Sequence, residues 1–127
     1  MKTLSLLYTV MFLLPSLAAA SSESLSFPDV VVANKQVRAY QCDRNKRISV
    51  LYINATDGDS FAYLSVDGAR HVFVTVMSGS GAKYASGPYV WWTKGPLGNL
   101  TREGDSGAPP LLANCVEQSQ APRHAAQ

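Results

Sequence analysis

Apolar and polar side chains alternate with a period of two through most of the chain after residue 34. In the first such run, Val37, Ala39 and Gln41 fall on one face, while Tyr40 and Cys42 fall on the other. This alternation is typical of β-strands, and no long run shows the apolar stripe of a helix. The pattern predicts strands at residues 35–42, 47–54, 60–66, 69–77, 89–94, 100–102 and 111–116, with a short additional strand around Tyr84.

Polar turns separate these strands. The pairs Asp57-Gly58 and Asp67-Gly68 are strong hairpin signals, because glycine tolerates positive φ and aspartate hydrogen-bonds its own backbone. About seven or eight short antiparallel strands need a sandwich or a closed barrel to bury their apolar faces and hide their edges. We expect an all-β fold and favour a small antiparallel barrel.

The N-terminal residues of the chain predict export. Residues 1–20 combine a positive Lys2, an apolar run and a small-residue cleavage site ending at Ala20, as in a signal peptide. The apolar run is shorter than the roughly 20 residues of a spanning helix, and no cysteine near the cleavage point could accept a lipid, so we expect no membrane anchor. Residues 21–34 are predicted to be a flexible lead-in, 35–117 the barrel domain and 118–127 a flexible tail.

The charge of the exported chain is close to neutral. Loss of Lys2 leaves one fewer than the 11 basic residues of the full sequence, against 9 acidic ones. The charges are also spread along the chain instead of forming a basic run. This balance predicts no nucleic-acid partner and no attraction to an anionic membrane.

Cys42 and Cys115 are the only cysteines of the sequence. An even pair in an exported chain predicts a disulfide, whereas a reactive thiol would need a nearby histidine and a reducing compartment. Closing so long a loop stabilises the fold by about 4 kcal/mol in the loop-entropy model. The bridge would join the first and last strands, which are the two edges that must meet in a closed barrel.

The candidate catalytic and metal-binding residues do not form a recognisable pattern. Ser80 and His71 could be nominated for a hydrolytic triad, but His71 lies within a predicted strand and no strand-turn-helix elbow surrounds Ser80. His124 lies in the predicted tail, and the turn aspartates lack the spacing of a calcium loop. We therefore expect no enzyme activity, no metal and no cofactor.

Two glycine-containing turns carry the most specific residues. One reads Ser-Gly-Ser-Gly-Ala-Lys-Tyr over residues 78–84, and the other reads Trp-Thr-Lys-Gly over residues 92–95. Taken singly, a serine-glycine cluster is usually only a hairpin turn, and a lysine at a strand end is usually a solvated charge. As a pair at this distance they indicate a binding surface.

These two motifs, together with Tyr40-Gln41-Cys42 and Cys115, resemble the membrane-bound and periplasmic bacterial inhibitors of c-type lysozyme. The resemblance covers residues 37–116. It implies an eight-stranded antiparallel barrel, c-type lysozyme as partner and, without a lipid-accepting cysteine, a soluble periplasmic protein. It also implies the roles of the site residues: Ser80 and Lys94 enter the lysozyme cleft and contact its two catalytic carboxyl groups, Gly81 permits close backbone approach, and Tyr84 and Thr93 brace the loops or touch the rim.

The chain departs from this family pattern in two places. Pro96-Leu97-Gly98 follows the second motif where the family commonly has acidic residues, which removes possible salt bridges to a basic lysozyme. Gly79 stands where the family often has alanine, which should raise the entropy lost on binding.

The alternative function is a carbohydrate-binding or ligand-binding barrel. Trp91 and Trp92 are adjacent and therefore point to opposite faces of a strand, so that one is expected in the core. The other, with Tyr89, could stack on a sugar. The triplets beginning at Asn54 and Asn99 fit the pattern of an N-glycosylation acceptor. They would matter only in a secretory pathway that glycosylates such triplets.

Overall fold

The computed structural model describes residues 22–104 and 106–119. Eight antiparallel strands follow one another around a closed barrel, and the last strand pairs with the first. This architecture confirms the predicted fold. The strands are β1 (Val32–Gln41), β2 (Arg47–Ala55), β3 (Ser60–Val66), β4 (Ala69–Val76), β5 (Ala82–Ser86), β6 (Tyr89–Lys94), β7 (Leu97–Arg102) and β8 (Leu112–Gln118).

Closure of the barrel depends on a short ladder and a disulfide. β1 and β8 pair only from Ala39 opposite Gln118 to Gln41 opposite Val116. Directly beyond this ladder, Cys42 and Cys115 form the predicted disulfide. Between Cys42 and β2, the polar segment Asp43–Asn45 forms the predicted turn, in which Arg44 and Asn45 have positive φ of 56° and 57°. The covalent bridge therefore reinforces the seam where the first and last strands meet.

Inward-facing side chains from all sides of the barrel form the core. The largest fully buried residues include Trp91, Phe73, Leu64 and Leu100. The Tyr40 ring meets Trp91 edge to face, with 5.2 Å between ring centroids. Such a pair contributes directional packing in addition to the area it buries. The predicted core role of one of the two adjacent tryptophans is thus taken by Trp91.

Two strands start about three residues earlier than the sequence predicts, and several other bounds differ by one or two residues. β1 begins at Val32 and not at residue 35, because Val32 and Asn34 already pair with the end of β2 across a bulge. β7 begins at Leu97 and not at residue 100. Gly98 lies in this strand, opposite Thr93 of β6. A Cβ at this position would lie 2.6 Å from the Trp91 ring, so only glycine leaves room for the core indole.

The predicted signal peptide, residues 1–20, lies outside the described residues, as do residues 120–127 of the predicted tail. Residues 22–31 form no strand and are largely exposed. In the described part of the chain, no helix has the length and apolar character needed to cross a membrane.

Candidate functional site

The two motif turns meet at one end of the barrel. The Ser loop, residues 77–81, joins β4 to β5, and the Lys turn, residues 94–96, joins β6 to β7. Because β5 and β6 pair with Ala82 opposite Thr93, Gly81 lies beside Lys94. The fold therefore brings Ser80 and Lys94, which are far apart in the sequence, to neighbouring positions on one rim.

Gly81 is required where the Ser loop touches β6. Its φ is 68°, in the left-handed region that other residues enter at a cost, and a Cβ there would lie 2.1 Å from the Thr93 carbonyl oxygen. It would also lie 3.2 Å from Lys94 Cβ. Both the backbone conformation and the close approach exclude a side chain, so Gly81 sets the distance between the Ser loop and the Lys turn.

Two side chains hold the Ser loop through a single carbonyl group. The Ser78 hydroxyl donates to the Ser80 carbonyl oxygen at 2.7 Å, and the Trp92 indole N–H donates to the same oxygen at 2.9 Å. Trp92 lies two residues before Lys94 on β6. This indole therefore links the Ser loop directly to the strand that carries the lysine.

The functional groups at the rim remain available to a partner. Ser80 and Lys94 are both exposed. Among the described residues, the Ser80 hydroxyl has no hydrogen-bond partner and the Lys94 ammonium has no carboxylate partner. Met77, at the start of the Ser loop, is 96 % exposed and adds an apolar side chain to the same rim. The rim thus offers a hydroxyl, a cation and a flexible thioether.

Tyr84 and Thr93 lie below this rim. Tyr84 is buried in the barrel, and Thr93 is half-buried. Both line a depression of about 240 Å³ that also includes Tyr52 and the exposed ion pair between Arg38 and Glu117. Thr93 contacts the Ser loop through its backbone at Gly81.

Hydrogen-bonded phenols support the depression from inside the barrel. The Trp91 indole donates to the Tyr52 hydroxyl at 2.8 Å, and the Tyr40 and Tyr52 hydroxyls lie 3.0 Å apart. Burial raises the pKa of Tyr52 well above its usual range, and burial likewise raises the pKa of Tyr40 and of Tyr84. These phenols therefore stay neutral at physiological pH.

The aromatic residues considered for sugar stacking do not share a surface. Trp91 is fully buried, and the indole N–H of Trp92 is bound to the Ser80 carbonyl. Tyr89 lies at the other end of β6, where its hydroxyl accepts from Arg102 at 2.8 Å and contacts Asp67. The structure offers no common exposed platform of these three rings.

Trp92 and Ser78 are not among the residues that the sequence predicts for the site. The signal that could have found Trp92 is its position directly before Thr93 in the Trp-Thr-Lys-Gly motif. Among the described residues, no group of three or more His, Cys, Asp or Glu side chains is arranged to hold a metal ion.

A disulfide-closed barrel with two adjoining turns that present free polar groups has the architecture of a small protein-binding scaffold. The family model for the membrane-bound lysozyme-inhibitor of c-type lysozyme matches residues 40–108. A protein of that name from Cupriavidus necator is 43 % identical over 99 residues, covering 76 % of this chain and 74 % of the relative. The chain belongs to this family, which confirms the resemblance found in its sequence.

Further relatives agree with this assignment. A protein of the same name from Pseudomonas aeruginosa is 35 % identical over 100 residues, covering 78 % of each chain. The crystal structure of Pseudomonas aeruginosa MliC in complex with hen egg white lysozyme matches with a TM-score of 0.61 at 34 % identity, over 79 % of this chain and 99 % of that one.

A second solved structure is PliC-St, the periplasmic lysozyme inhibitor of C-type lysozyme from Salmonella typhimurium. It has a TM-score of 0.61 and 26 % identity, and the match covers 68 % of this chain and all of that one. The similar proteins thus include ones named membrane-bound and one named periplasmic. The relatives are named as inhibitors, which confirms the expectation that this chain is not an enzyme.

Proposed function

We propose that this protein inhibits c-type lysozyme by inserting Ser80 and Lys94 into the active-site cleft of the enzyme. The observation that carries the proposal is the contact of Gly81 with the end of β6, which aligns the two exposed side chains on one rim. The relatives named as inhibitors of c-type lysozyme support the choice of partner, as does the relative crystallised with hen egg white lysozyme.

The chemistry of the rim suits the catalytic groups of the target. A retaining glycosidase uses two carboxyl groups about 5 Å apart, one protonated as general acid and one ionised. The Ser80 hydroxyl can donate one hydrogen bond and accept others, so it can satisfy either carboxyl group. The Lys94 ammonium offers a compact charge with three donors for the ionised carboxylate. Occupation of the cleft would exclude substrate and fix the protons of both carboxyl groups.

The fixed conformation of the Ser loop favours tight binding. Ordering a loop on association costs free energy, and a loop that is already held in the free protein avoids part of that cost. Here the Ser80 carbonyl accepts two hydrogen bonds and Gly81 abuts β6. Exposed Met77 can add an apolar contact at the edge of the cleft. Preorganisation thus offsets part of the flexibility introduced by Gly79.

The proposal includes the compartment in which inhibition occurs. The signal-peptide pattern of residues 1–20 and the absence of a lipid-accepting cysteine near Ala20 favour export and release into the periplasm. There the protein would meet lysozyme that has crossed the outer membrane and would protect the peptidoglycan. Purification of the protein from a periplasmic extract, with an N-terminus near Ser21, tests this part independently of binding.

A lysis assay tests the inhibitory function. Lysozyme is titrated with the purified protein on bacterial cell walls, and loss of turbidity is recorded. We expect full inhibition by the wild type. Ser80→Ala and Lys94→Ala should each lose about 1 to 4 kcal/mol of binding free energy. Lys46→Ala, which removes a lysine beside β2 far from the Lys turn, is the matched control and should inhibit like the wild type.

Two results would reject the proposal. Undiminished inhibition by the Ser80→Ala/Lys94→Ala double variant would exclude the two side chains as the inserting groups. Unchanged lysis in the presence of excess wild-type protein, combined with binding to isolated peptidoglycan fragments, would instead favour the carbohydrate-binding alternative.

A further inference from the structure

The strand order of the barrel is closed, but the ladder between β2 and β3 covers only part of the two strands. Their ladder runs from Asn54 opposite Ser60 to Leu51 opposite Tyr63 and then stops. Continuation of this register would pair residues 48–50 with residues 64–66, but no such pairs form between these described segments. On their other sides, β2 stays paired with β1 and β3 stays paired with β4. Residues 47–50 and 64–66 therefore each present a strand edge with unpaired backbone groups.

A cleft of about 660 Å³ opens where the two strands separate. Its floor is apolar and includes Ile48, Leu64, Val66, Leu100 and Leu112. The first four of these side chains are buried, so the floor seals the barrel interior beneath the cleft. The walls carry the outward-facing side chains of the two strand edges. The cleft thus combines an apolar base with two backbone edges that can form hydrogen bonds.

The rim of the cleft is cationic. Lys46, Arg47 and Arg70 line it, and all three are exposed. In residues 22–104 and 106–119, the ion pairs are Arg38 with Glu117 and Arg102 with Asp67, so these three cations have no carboxylate partner. The one carboxylate at the rim, Asp67, is engaged by Arg102 and by the Tyr89 hydroxyl. The net charge of the rim favours an anionic occupant.

The cleft lies at the end of the barrel opposite the proposed inhibitory rim. Asp67, beside the cleft, contacts Tyr89 at the start of β6, whereas Lys94 ends the same strand. A strand of this length spans about 17 Å. A ligand in the cleft would therefore not compete with a protein bound at the Ser loop and Lys turn.

We propose that this cleft binds an extended acidic peptide segment, which pairs with the free edges of β2 and β3. Alternate side chains of the peptide would face the apolar floor, while its carboxylates would reach Arg47 and Arg70. Main-chain hydrogen bonds supply affinity in this mode of recognition, and alternate side chains supply specificity. A fatty-acid anion could meet the floor and the charges, but it would leave the backbone edges unpaired. The exposed edges therefore favour a peptide.

The experiment uses a capped heptapeptide, Ac-Glu-Val-Glu-Val-Glu-Val-Glu-NH2, titrated into the ¹⁵N-labelled protein. We expect amide chemical-shift changes concentrated at residues 47–50 and 64–66. The double variant Arg47→Glu/Arg70→Glu should bind the peptide at least about tenfold more weakly, and Arg70→Gln should show a smaller loss. A version of the peptide with alternate amides N-methylated should not bind. Inhibition of lysozyme by all variants should equal that of the wild type, which separates this test from that of the proposed function.

Three outcomes would overturn the proposal. The first is absence of shifts at both strand edges at millimolar peptide, and the second is equal binding of the N-methylated peptide. The third is a response of the same amides to dodecanoate when the peptide gives none, which would assign the cleft to a lipid anion. The variants remain interpretable because both arginine side chains are exposed, and their folding is verified by amide spectra that match the wild type away from the cleft.

Discussion

The two ends of β6 use polar side chains in opposite ways. At its start, Tyr89, Asp67 and Arg102 satisfy one another through hydrogen bonds and an ion pair. At its end, the contacts of the Ser loop use backbone carbonyl groups and leave the Ser80 hydroxyl and the Lys94 ammonium exposed. The first arrangement stabilises the fold, whereas the second fixes the backbone and keeps the side chains for a partner. This contrast distinguishes the proposed inhibitory rim from an ordinary set of turns.

The largest effect on the rim is expected from Gly81→Ala. The new Cβ would clash with the Thr93 carbonyl oxygen and would strain a backbone with φ of 68°. Strain of this kind costs roughly 1–3 kcal/mol, and separation of the Ser loop from β6 should lower affinity for lysozyme more than tenfold. Inhibition titrations and thermal unfolding measure the two effects.

Gly79→Ala is the matched control for this variant. Gly79 has no positive φ and nothing within 4 Å of an added Cβ. Alanine there reduces the freedom of the unbound loop, so affinity should stay the same or improve slightly. Equal losses for the two glycine variants would show that the Gly81 contact does not organise the rim.

A smaller effect is expected from Trp92→Phe. This change keeps an aromatic ring on the outer face of β6 but removes the N–H that donates to the Ser80 carbonyl. Loss of one such hydrogen bond typically costs about 0.5–1.5 kcal/mol. We expect that loss mainly in the binding of lysozyme, measured by calorimetry, with little change in thermal stability. A drop in stability without a change in affinity would assign Trp92 to the scaffold alone.

The internal phenols predict a loss of stability at alkaline pH. Burial is the main cause that raises the folded-state pKa of Tyr52 above its ordinary value of about 10. The folded protein therefore retains a proton that the unfolded chain releases, and the free energy of unfolding should fall as the pH rises above about 10. Melting temperatures between pH 8 and pH 11 measure the slope. Tyr52→Phe should make the slope shallower, and an unchanged slope would exclude Tyr52 as a source.

The smallest effect on inhibition is expected at the start of β6, where the polar side chains bind one another. Arg102→Gln breaks the contacts with Tyr89 and Asp67 but leaves the Ser loop and Lys turn untouched. The side chain is partly exposed, so stability should fall by at most about 1 kcal/mol. Affinity for lysozyme should stay within about twofold of the wild type. A large loss of affinity would remove the distinction between the two ends.

Much of the fold could be predicted from alternation and turn chemistry. The bounds of β3 and β6 match the prediction, since clear turns flank both strands. The start of β7 could not be predicted, because glycine is disfavoured in strands and the sequence does not show that the Trp91 ring occupies the space beside Gly98. A one-dimensional pattern contains no information on which side chain needs the space of a missing Cβ.

The candidate site shows the same division. Ser80 and Lys94 could be named from the motif pair, and their alignment follows from the register of β5 and β6. The hydrogen bond from Trp92 to the Ser80 carbonyl could not be predicted from the sequence, since it depends on the path of the loop. The cleft between β2 and β3 could not be predicted from the sequence either, because both strands alternate normally through the point where their ladder stops.

The most direct test of the central claim is a double-mutant cycle across the interface. Binding is measured for wild-type protein and Lys94→Ala, each against lysozyme and against lysozyme whose catalytic aspartate is replaced by asparagine. If Lys94 contacts that carboxylate, the two changes should be coupled by about 1–3 kcal/mol. Additive effects, with no coupling beyond experimental error, would contradict insertion of Lys94 at the catalytic carboxylate.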